Sequence, residues 1–273
     1  MKDVKVKRTS RTVASPGRGS IRITERDLWV LEALAKKRFA MTNQLAALFF
    51  DGSRWSANKG LRKLLDARLL NVWVRSLSEE NIYSVTKRGL TAIEDENFTL
   101  SYETKPLRGF DENLNHLLAI NDVRTSLVMT LPEAGGEIGW WRSDWELRSH
   151  GRERIIPDGL FLINWQGLKE QPYALEVDNN TRSSRNFMKK ILAYASLPNR
   201  GKGIYGIADP IILIACSDRK WMERYRISVK QLRPNRRVWF ATIEEIKREG
   251  ATGAVWANGS EKRRSLLELT QGV

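Results

Sequence analysis

The second half of this chain is organised by two apolar runs, Ile155-Ile156-Pro157-Asp158-Gly159-Leu160-Phe161-Leu162-Ile163 and Tyr173-Ala174-Leu175-Glu176-Val177-Asp178. A short polar connection separates them, so both runs are predicted to be strands. Alternate residues of a strand share a face, so Glu176 and Asp178 point the same way and Val177 enters the core. If the two strands form a hairpin, Asp158 faces the same cleft. Three converging carboxylates make a site for a hard divalent cation such as Mg2+.

The order of these residues carries a family resemblance. Pro157-Asp158, a hairpin-sized gap and Glu176 in an apolar strand resemble the PD-(D/E)xK nuclease core, although Asp178 stands where that superfamily has its lysine. The Leu-Glu-Val-Asp variant, followed by Asn179-Asn180-Thr181 and the lysine-rich segment Phe187–Tyr194, resembles a narrower group. That group is the replication-relaxation family, which includes the MobC-type plasmid mobilisation relaxases. The resemblance covers most of the chain, because those proteins also carry an N-terminal winged helix.

The resemblance implies a catalytic set. Asp158 and Glu176 match the family's metal-binding acids, and Asp178 is the candidate third ligand for Mg2+ or Mn2+. Lys190 or Lys189, on the following helix, would return the missing ammonium to the cleft. Carboxylate-held metal would activate water and clamp phosphate oxygens, while the lysine stabilises developing charge. Activity itself stays open. Strand-end carboxylates are frequently solvated, and without Glu-x-Lys a silent DNA-binding nuclease fold is nearly as well supported.

Further polar residues are secondary candidates. Glu146 could add an acid from an upstream strand end, and Asn180 and Thr181 could position a phosphate or Asp178. His116 lies among apolar neighbours on a predicted helix, where a lone histidine is more often packed than a ligand, and it is kept as a weak candidate. Tyr194 is interpreted as core packing and not as a relaxase nucleophile.

The composition favours a nucleic-acid partner. The 273 residues carry a net charge of +14, with a sequence pI of about 10.0. Such a balance is typical of proteins that bind nucleic acid. No apolar run of spanning length competes for a membrane role. The one cysteine, Cys216, has no intramolecular partner, and the first residues lack a secretion signal. A cytoplasmic location is therefore expected.

The N-terminal third predicts a DNA-binding domain. Residues 1–23 are predicted to be a basic flexible tail that neutralises phosphates on binding. Residues 24–97 are predicted to be a winged helix-turn-helix domain, beginning at the N-cap Thr24. Its third helix, residues 53–68, would be the recognition helix. The predicted DNA-binding residues on the outward face of that helix are Arg54, Trp55, Asn58, Lys59, Arg62 and Lys63. Basic and amide side chains suit phosphate contact and base-edge reading. A plain solvated helix face, or a protein-interaction winged helix, are the alternatives.

The remaining segments predict an α/β domain. Residues 98–111 are expected to be a linker, because Pro106 and Gly109 interrupt a stretch without helical period. Residues 112–250 are expected to follow the order helix, three strands, helix, strand, helix, strand. That order is consistent with the restriction-endonuclease-like, mixed-sheet PD-(D/E)xK fold that the resemblance implies. Residues 251–273 are expected to be peripheral.

Together these patterns predict a cytoplasmic DNA-binding protein of a mobile genetic element. The partner would be double-stranded DNA, at an origin or operator, with a homodimer left open. The second domain would nick that DNA at a mobilisation or replication origin with Mg2+ or Mn2+. The first alternative is a catalytically inactive nuclease fold that serves as a transcription regulator or replication accessory. The second is a protein-interaction adaptor.

Overall fold

The computed structural model divides the chain into two compact units, an N-terminal unit up to Asp111 and a C-terminal unit, Glu112–Val273. It describes residues 11–15, 19–74, 76, 78–93, 112–149, 153, 155–179, 184–195, 203–230, 237–258 and 262–272. The mixed α/β class predicted from the sequence is confirmed. The predicted linker, residues 98–111, lies outside the described residues. Within them, no helix is long and apolar enough to cross a membrane.

The N-terminal unit contains helices packed on a small sheet. Its elements are β1 (Arg11–Ser15), β2 (Gly19–Ile23), α1 (Glu25–Lys37), β3 (Ala40–Met41), α2 (Thr42–Phe49), α3 (Arg54–Asp66), β4 (Leu70–Trp73), β5 (Ile82–Val85) and α4 (Lys87–Ile93). Strands β3, β5 and β4 form an antiparallel sheet in that order. Leu31 and Leu34 of α1 and Leu61 and Leu64 of α3 are fully buried in the core of this unit.

Local chemistry explains where these helices begin. Thr24 closes a capping box with Asp27: the Thr24 amide donates to Asp27 Oδ2 at 2.8 Å, and the Asp27 amide donates to Thr24 Oγ1 at 3.3 Å. Ser53 Oγ accepts from the Ser56 amide at 3.2 Å and so begins α3. Each cap satisfies backbone donors that a first helical turn otherwise leaves without partners.

The segment before α1 differs from the predicted flexible tail. β1 and β2 pair as an antiparallel hairpin in which Arg11 is opposite Ile23 and Ser15 is opposite Gly19. Ile23 is fully buried in the core of the N-terminal unit, so the hairpin is joined to the fold at its end. Residues 1–10 and 16–18, which carry part of the predicted basic arm, lie outside the described residues.

The C-terminal unit is built on one mixed sheet. Its elements are α5 (Glu112–Thr130), β6 (Gly136–Ser143), α6 (Asp144–Ser149), β7 (Gly159–Trp165), β8 (Gln171–Asp178), α7 (Ser184–Ala195), β9 (Ile211–Cys216), α8 (Arg219–Lys230), β10 (Val238–Thr242), α9 (Ile243–Glu249), β11 (Trp256–Ala257), β12 (Arg263–Arg264) and α10 (Leu266–Gln271). The strand order among the described residues is β12-β11-β10-β9-β8-β7-β6. The central strands β8, β9 and β10 run parallel, and the flanking pairs are antiparallel.

Side-chain alternation along β8 assigns its residues to two cores. Tyr173, Leu175 and Val177 pack in the core that includes residues of α5 and α9. Ala174 packs in the second core, with residues of α7 and α8. Because alternate residues share a face, Glu176 lies on the α7 and α8 side of the sheet.

Two sequence predictions for this unit are wrong. Glu146 lies in α6, not at a strand end, because the strand stops at Ser143. The segment after Gly250 is not peripheral: it supplies β11, β12 and α10, and Trp256 is fully buried in the same core as Tyr173. β11 pairs with β10 through Ala257 and Phe240, so this segment extends the sheet.

Candidate functional site

Asp158 is held at the start of β7 by the neighbouring strand. Its amide donates to Leu175 O at 3.0 Å, and its Oδ2 accepts from the Val177 amide at 2.8 Å. Its other oxygen, Oδ1, lies 3.1 Å from His116 Nε2 of α5. These two backbone contacts hold Asp158 beside β8. They involve Leu175 and Val177, the residues directly before and after Glu176. The predicted hairpin between these strands is observed, with β7 and β8 antiparallel.

Glu176 is buried on β8, and α7 supplies donors to both of its oxygens. Lys190 Nζ donates to Glu176 Oε2 at 2.6 Å, and the Tyr194 hydroxyl donates to Glu176 Oε1. Residues four apart on a helix lie on the same face, so Lys190 and Tyr194 approach the carboxylate together. We call His116, Asp158, Glu176, Lys190 and Tyr194 the acid–lysine cluster.

Burial and charge set opposite pKa shifts on the two acids of the cluster. Burial by itself raises the pKa of Asp158, but the contact with His116, the charges of His116 and Lys190 and the Val177 amide together lower it from 3.8 to about 2. Burial first, and the charge of Asp158 second, raise the pKa of Glu176 from 4.5 to about 7, against the opposing effects of Lys190 and Tyr194. At neutral pH the cluster therefore holds one ionised acid and one acid close to its midpoint.

Asp178 shares the predicted strand face with Glu176 but contacts a different helix. Its Oδ2 accepts from the Tyr225 hydroxyl of α8 at 2.8 Å. Burial, followed by this hydrogen bond, raises the pKa of Tyr225. Lys189, the other candidate lysine, is exposed on α7, while Lys190 reaches Glu176. The structure thus brings Asp158, Glu176 and Lys190 together, and it gives Asp178 a hydrogen bond to α8.

The donor set of the cluster does not fit a Mg2+ or Mn2+ site. Each oxygen of Asp158 and Glu176 already faces a protein donor: His116, the Val177 amide, Lys190 or Tyr194. Within the described ranges, no group of three or more His, Cys, Asp or Glu side chains could hold a metal ion. Glu146 is engaged elsewhere, because its Oε2 accepts from the Ser143 amide at 2.7 Å at the start of α6. Asn180 and Thr181 lie outside the described residues.

The outward face of α3 presents most of the predicted DNA-binding residues. Trp55 is 73% exposed, and Lys59 Nζ lies 5.3 Å from the centroid of its ring. Asn58 is exposed on the next turn. Arg54 pairs with Glu80 at 2.6 Å and Arg62 with Asp66 at 3.1 Å, and both arginine side chains remain mostly exposed. This face combines cations, an amide and an aromatic ring in solvent.

Lys63 differs from its neighbours on α3. Its ammonium pairs with Asp27, the buried carboxylate of the α1 capping box, and only 33% of its side chain is exposed. The contact ties α3 to the start of α1. Lys63 therefore has a structural role that its position on a basic helix face did not indicate.

Two residues of the cluster had little weight in the prediction from the sequence. Tyr194 was interpreted as core packing; it is buried, as expected, but it also donates to Glu176. His116 was a weak candidate and lies beside Asp158. The usable signal was the spacing of Lys190 and Tyr194, since polar residues four apart on an amphipathic helix can reach one buried acid.

Comparison with known proteins places this arrangement in context. A family model described as Replication-relaxation matches residues 31–207, which is more than half of the 273-residue chain. The match spans α3 in the N-terminal unit and all of the acid–lysine cluster in the C-terminal unit. No curated protein and no solved structure gave a match.

Proposed function

We propose, because the chain belongs to the replication-relaxation family, that it binds duplex DNA and acts in the replication or relaxation of the DNA of a mobile genetic element such as a plasmid. In this proposal the N-terminal unit is a winged helix-turn-helix domain and α3 is its recognition helix. The net charge of +14 suits a polyanionic partner.

The observation that carries the proposal is the exposed face of α3. Lys59 and Arg62 would neutralise phosphates, and Asn58 could accept and donate at a base edge. Trp55 is a large apolar side chain that the fold leaves in water, where it gains no burial energy. Contact with DNA would bury that ring beside cations already directed outward.

The test is DNA affinity as a function of salt. Fluorescence anisotropy on a short labelled duplex should give a steep salt dependence, because each phosphate contact releases counterions. Arg62→Ala and Lys59→Ala should each weaken binding and lower the slope of log K against log salt by about 1.

Lys36→Ala is the matched control. Lys36 forms an i,i+4 pair with Glu32 at 3.0 Å, as Arg62 does with Asp66, but it lies on α1. Its removal takes away the same unit of charge without touching α3. An equal loss of affinity in Lys36→Ala and Arg62→Ala would mean that DNA binding depends on the net charge of the protein and not on α3. The proposal would then fail.

The second candidate function is nicking of that DNA by the C-terminal unit, as the MobC-type resemblance implies. It is favoured by one observation: Asp158, Glu176 and Lys190 lie together in a buried cluster, with the lysine supplied by α7. The resemblance also implies dependence on Mg2+ or Mn2+, but the engaged oxygens of the cluster do not favour it, and we derive no step through a metal. Supercoiled plasmid carrying the element's origin, incubated in Mg2+, Mn2+ or EDTA, tests the activity. Nicking by wild type that Glu176→Gln abolishes would establish it.

A further inference from the structure

We infer that Lys190 is the resident cation of the acid–lysine cluster: its ammonium balances Asp158 and Glu176 in the place of a divalent metal, and the wild-type cluster does not bind Mg2+ or Mn2+. The inference concerns the C-terminal unit alone. It does not depend on whether α3 binds DNA.

The first step is that the lysine is directed inward by its helix. Phe187 and Ile191 are buried on the side of α7 that faces the sheet, and Lys190, between them in the sequence, has only 20% of its side chain exposed. Its Nζ ends 2.6 Å from Glu176 Oε2, and its charge also acts on Asp158. The Lys190 ammonium therefore offsets the negative charge of both acids.

The second step is that every oxygen of the two acids already has a protein neighbour with which a metal would compete. A cation entering between the two acids would compete with Lys190 and Tyr194 for Glu176, and with His116 and the Val177 amide for Asp158. Mg2+ in particular loses its own water reluctantly. Displaced donors would be left inside a buried site, where an unsatisfied polar group is costly.

The third step is electrostatic. Removing the ammonium leaves two buried carboxyl groups; burial first, and the charge of Asp158 second, already raise the pKa of Glu176. A small divalent ion is then the strongest available replacement for the lost charge. The cluster should therefore bind a divalent metal when an uncharged residue replaces Lys190.

The experiment is a Mn2+ titration at pH 8. Binding is measured by calorimetry and by the loss of the electron paramagnetic resonance signal of free Mn2+. Lys190→Met keeps the length and removes the charge. The matched control is Lys189→Met, which removes the same charge from an exposed position one residue away. We expect no stoichiometric site in wild type or Lys189→Met, and at least about a tenfold gain in Mn2+ affinity in Lys190→Met. Adding Asp158→Asn to Lys190→Met should abolish that gain.

Two results would overturn the inference: a stoichiometric Mn2+ site in wild type that Asp158→Asn removes, or unchanged Mn2+ affinity in Lys190→Met. If Lys190→Met fails to fold, Lys190→Gln replaces it, since a neutral amide can still donate to Glu176, and the same gain is expected. Metal-dependent nicking that requires Asp158 would refute the resident-cation inference and leave the DNA-binding proposal intact. Loss of DNA binding in α3 variants leaves the metal result unchanged.

Discussion

The substitution Lys63→Met tests whether Lys63 stabilises the N-terminal unit or contacts DNA. The substitution keeps most of the side-chain volume and removes the ammonium that pairs with Asp27. Asp27 would remain buried, with Thr24 as its donor through the amide and the hydroxyl, at 2.8 Å and 2.7 Å. We expect a loss of stability in the N-terminal unit without a specific loss of DNA affinity.

The structure sets the size of that loss. Removing one partner of a fully buried ion pair costs about 3–5 kcal/mol, because the remaining charge has no compensation. Here Lys63 is 33% exposed and Asp27 keeps the donors of Thr24. Water screening therefore reduces the expected cost to about 1–3 kcal/mol. Replacing Asp27 by Asn as well should recover part of it, since no unpaired charge then remains.

Hydrogen exchange of α1 peptides measures this loss in the N-terminal unit alone, which matters in a chain of two units. Arg62→Ala is the comparison: its side chain is 75% exposed and its pair with Asp66 should contribute well under about 1 kcal/mol. Lys63→Met should speed exchange in α1 and keep the salt slope of DNA binding, whereas Arg62→Ala should do the reverse. Unchanged exchange with a reduced slope in Lys63→Met would refute the structural role and restore Lys63 to the contact face.

Three further predictions concern the C-terminal unit. Trp256→Ala should destabilise it by about 3–5 kcal/mol in hydrogen exchange of β10 peptides, because it empties a buried indole site. The pKa of Glu176 is about 7 in the folded state against an ordinary value of 4.5, so the folded state holds an extra proton between these pH values. Stability measured by thermal unfolding should therefore fall as the pH rises from 4.5 to 7, and Glu176→Gln should remove this pH dependence. Arg263→Ala should destabilise more than Arg219→Ala in urea, because both pair with Glu245 at 2.6 Å but Arg263 is the more buried.

Helix α1 was predictable because its signals are local. The capping box of Thr24 and Asp27 lies within one helical turn, and Leu28, Leu31 and Leu34 repeat at helical spacing just after it. Both the start of α1 and its buried face can therefore be identified in the sequence. The contact of Lys63 with Asp27 was not predictable for the opposite reason: the two residues are 36 positions apart, and helix periodicity carries no information about that contact.

The C-terminal segment was missed because its strands are too short to show a period. β11 and β12 have two residues each, and neither carries the alternation that marks a strand. Their place in the sheet depends on pairing with β10 and on the burial of Trp256. Two signals were available: Trp256, whose large side chain is usually buried, and the capping-box spacing of Ser265 and Glu268 at the start of α10.

The acid–lysine cluster marks the limit of the spacing argument. Strand parity correctly gave Glu176 and Asp178 the same face, but parity does not say which helix covers each residue. Glu176 meets Lys190 and Tyr194 of α7, while the next residue on that face, Asp178, meets Tyr225 of α8. Two acids separated by one residue therefore have different donors, and the predicted three-carboxylate site is divided between two helices. A lysine of α7, 14 residues beyond Glu176, donates to that acid. That ammonium already donates to Glu176, and for this reason we infer that it takes the place of a divalent metal in the cluster.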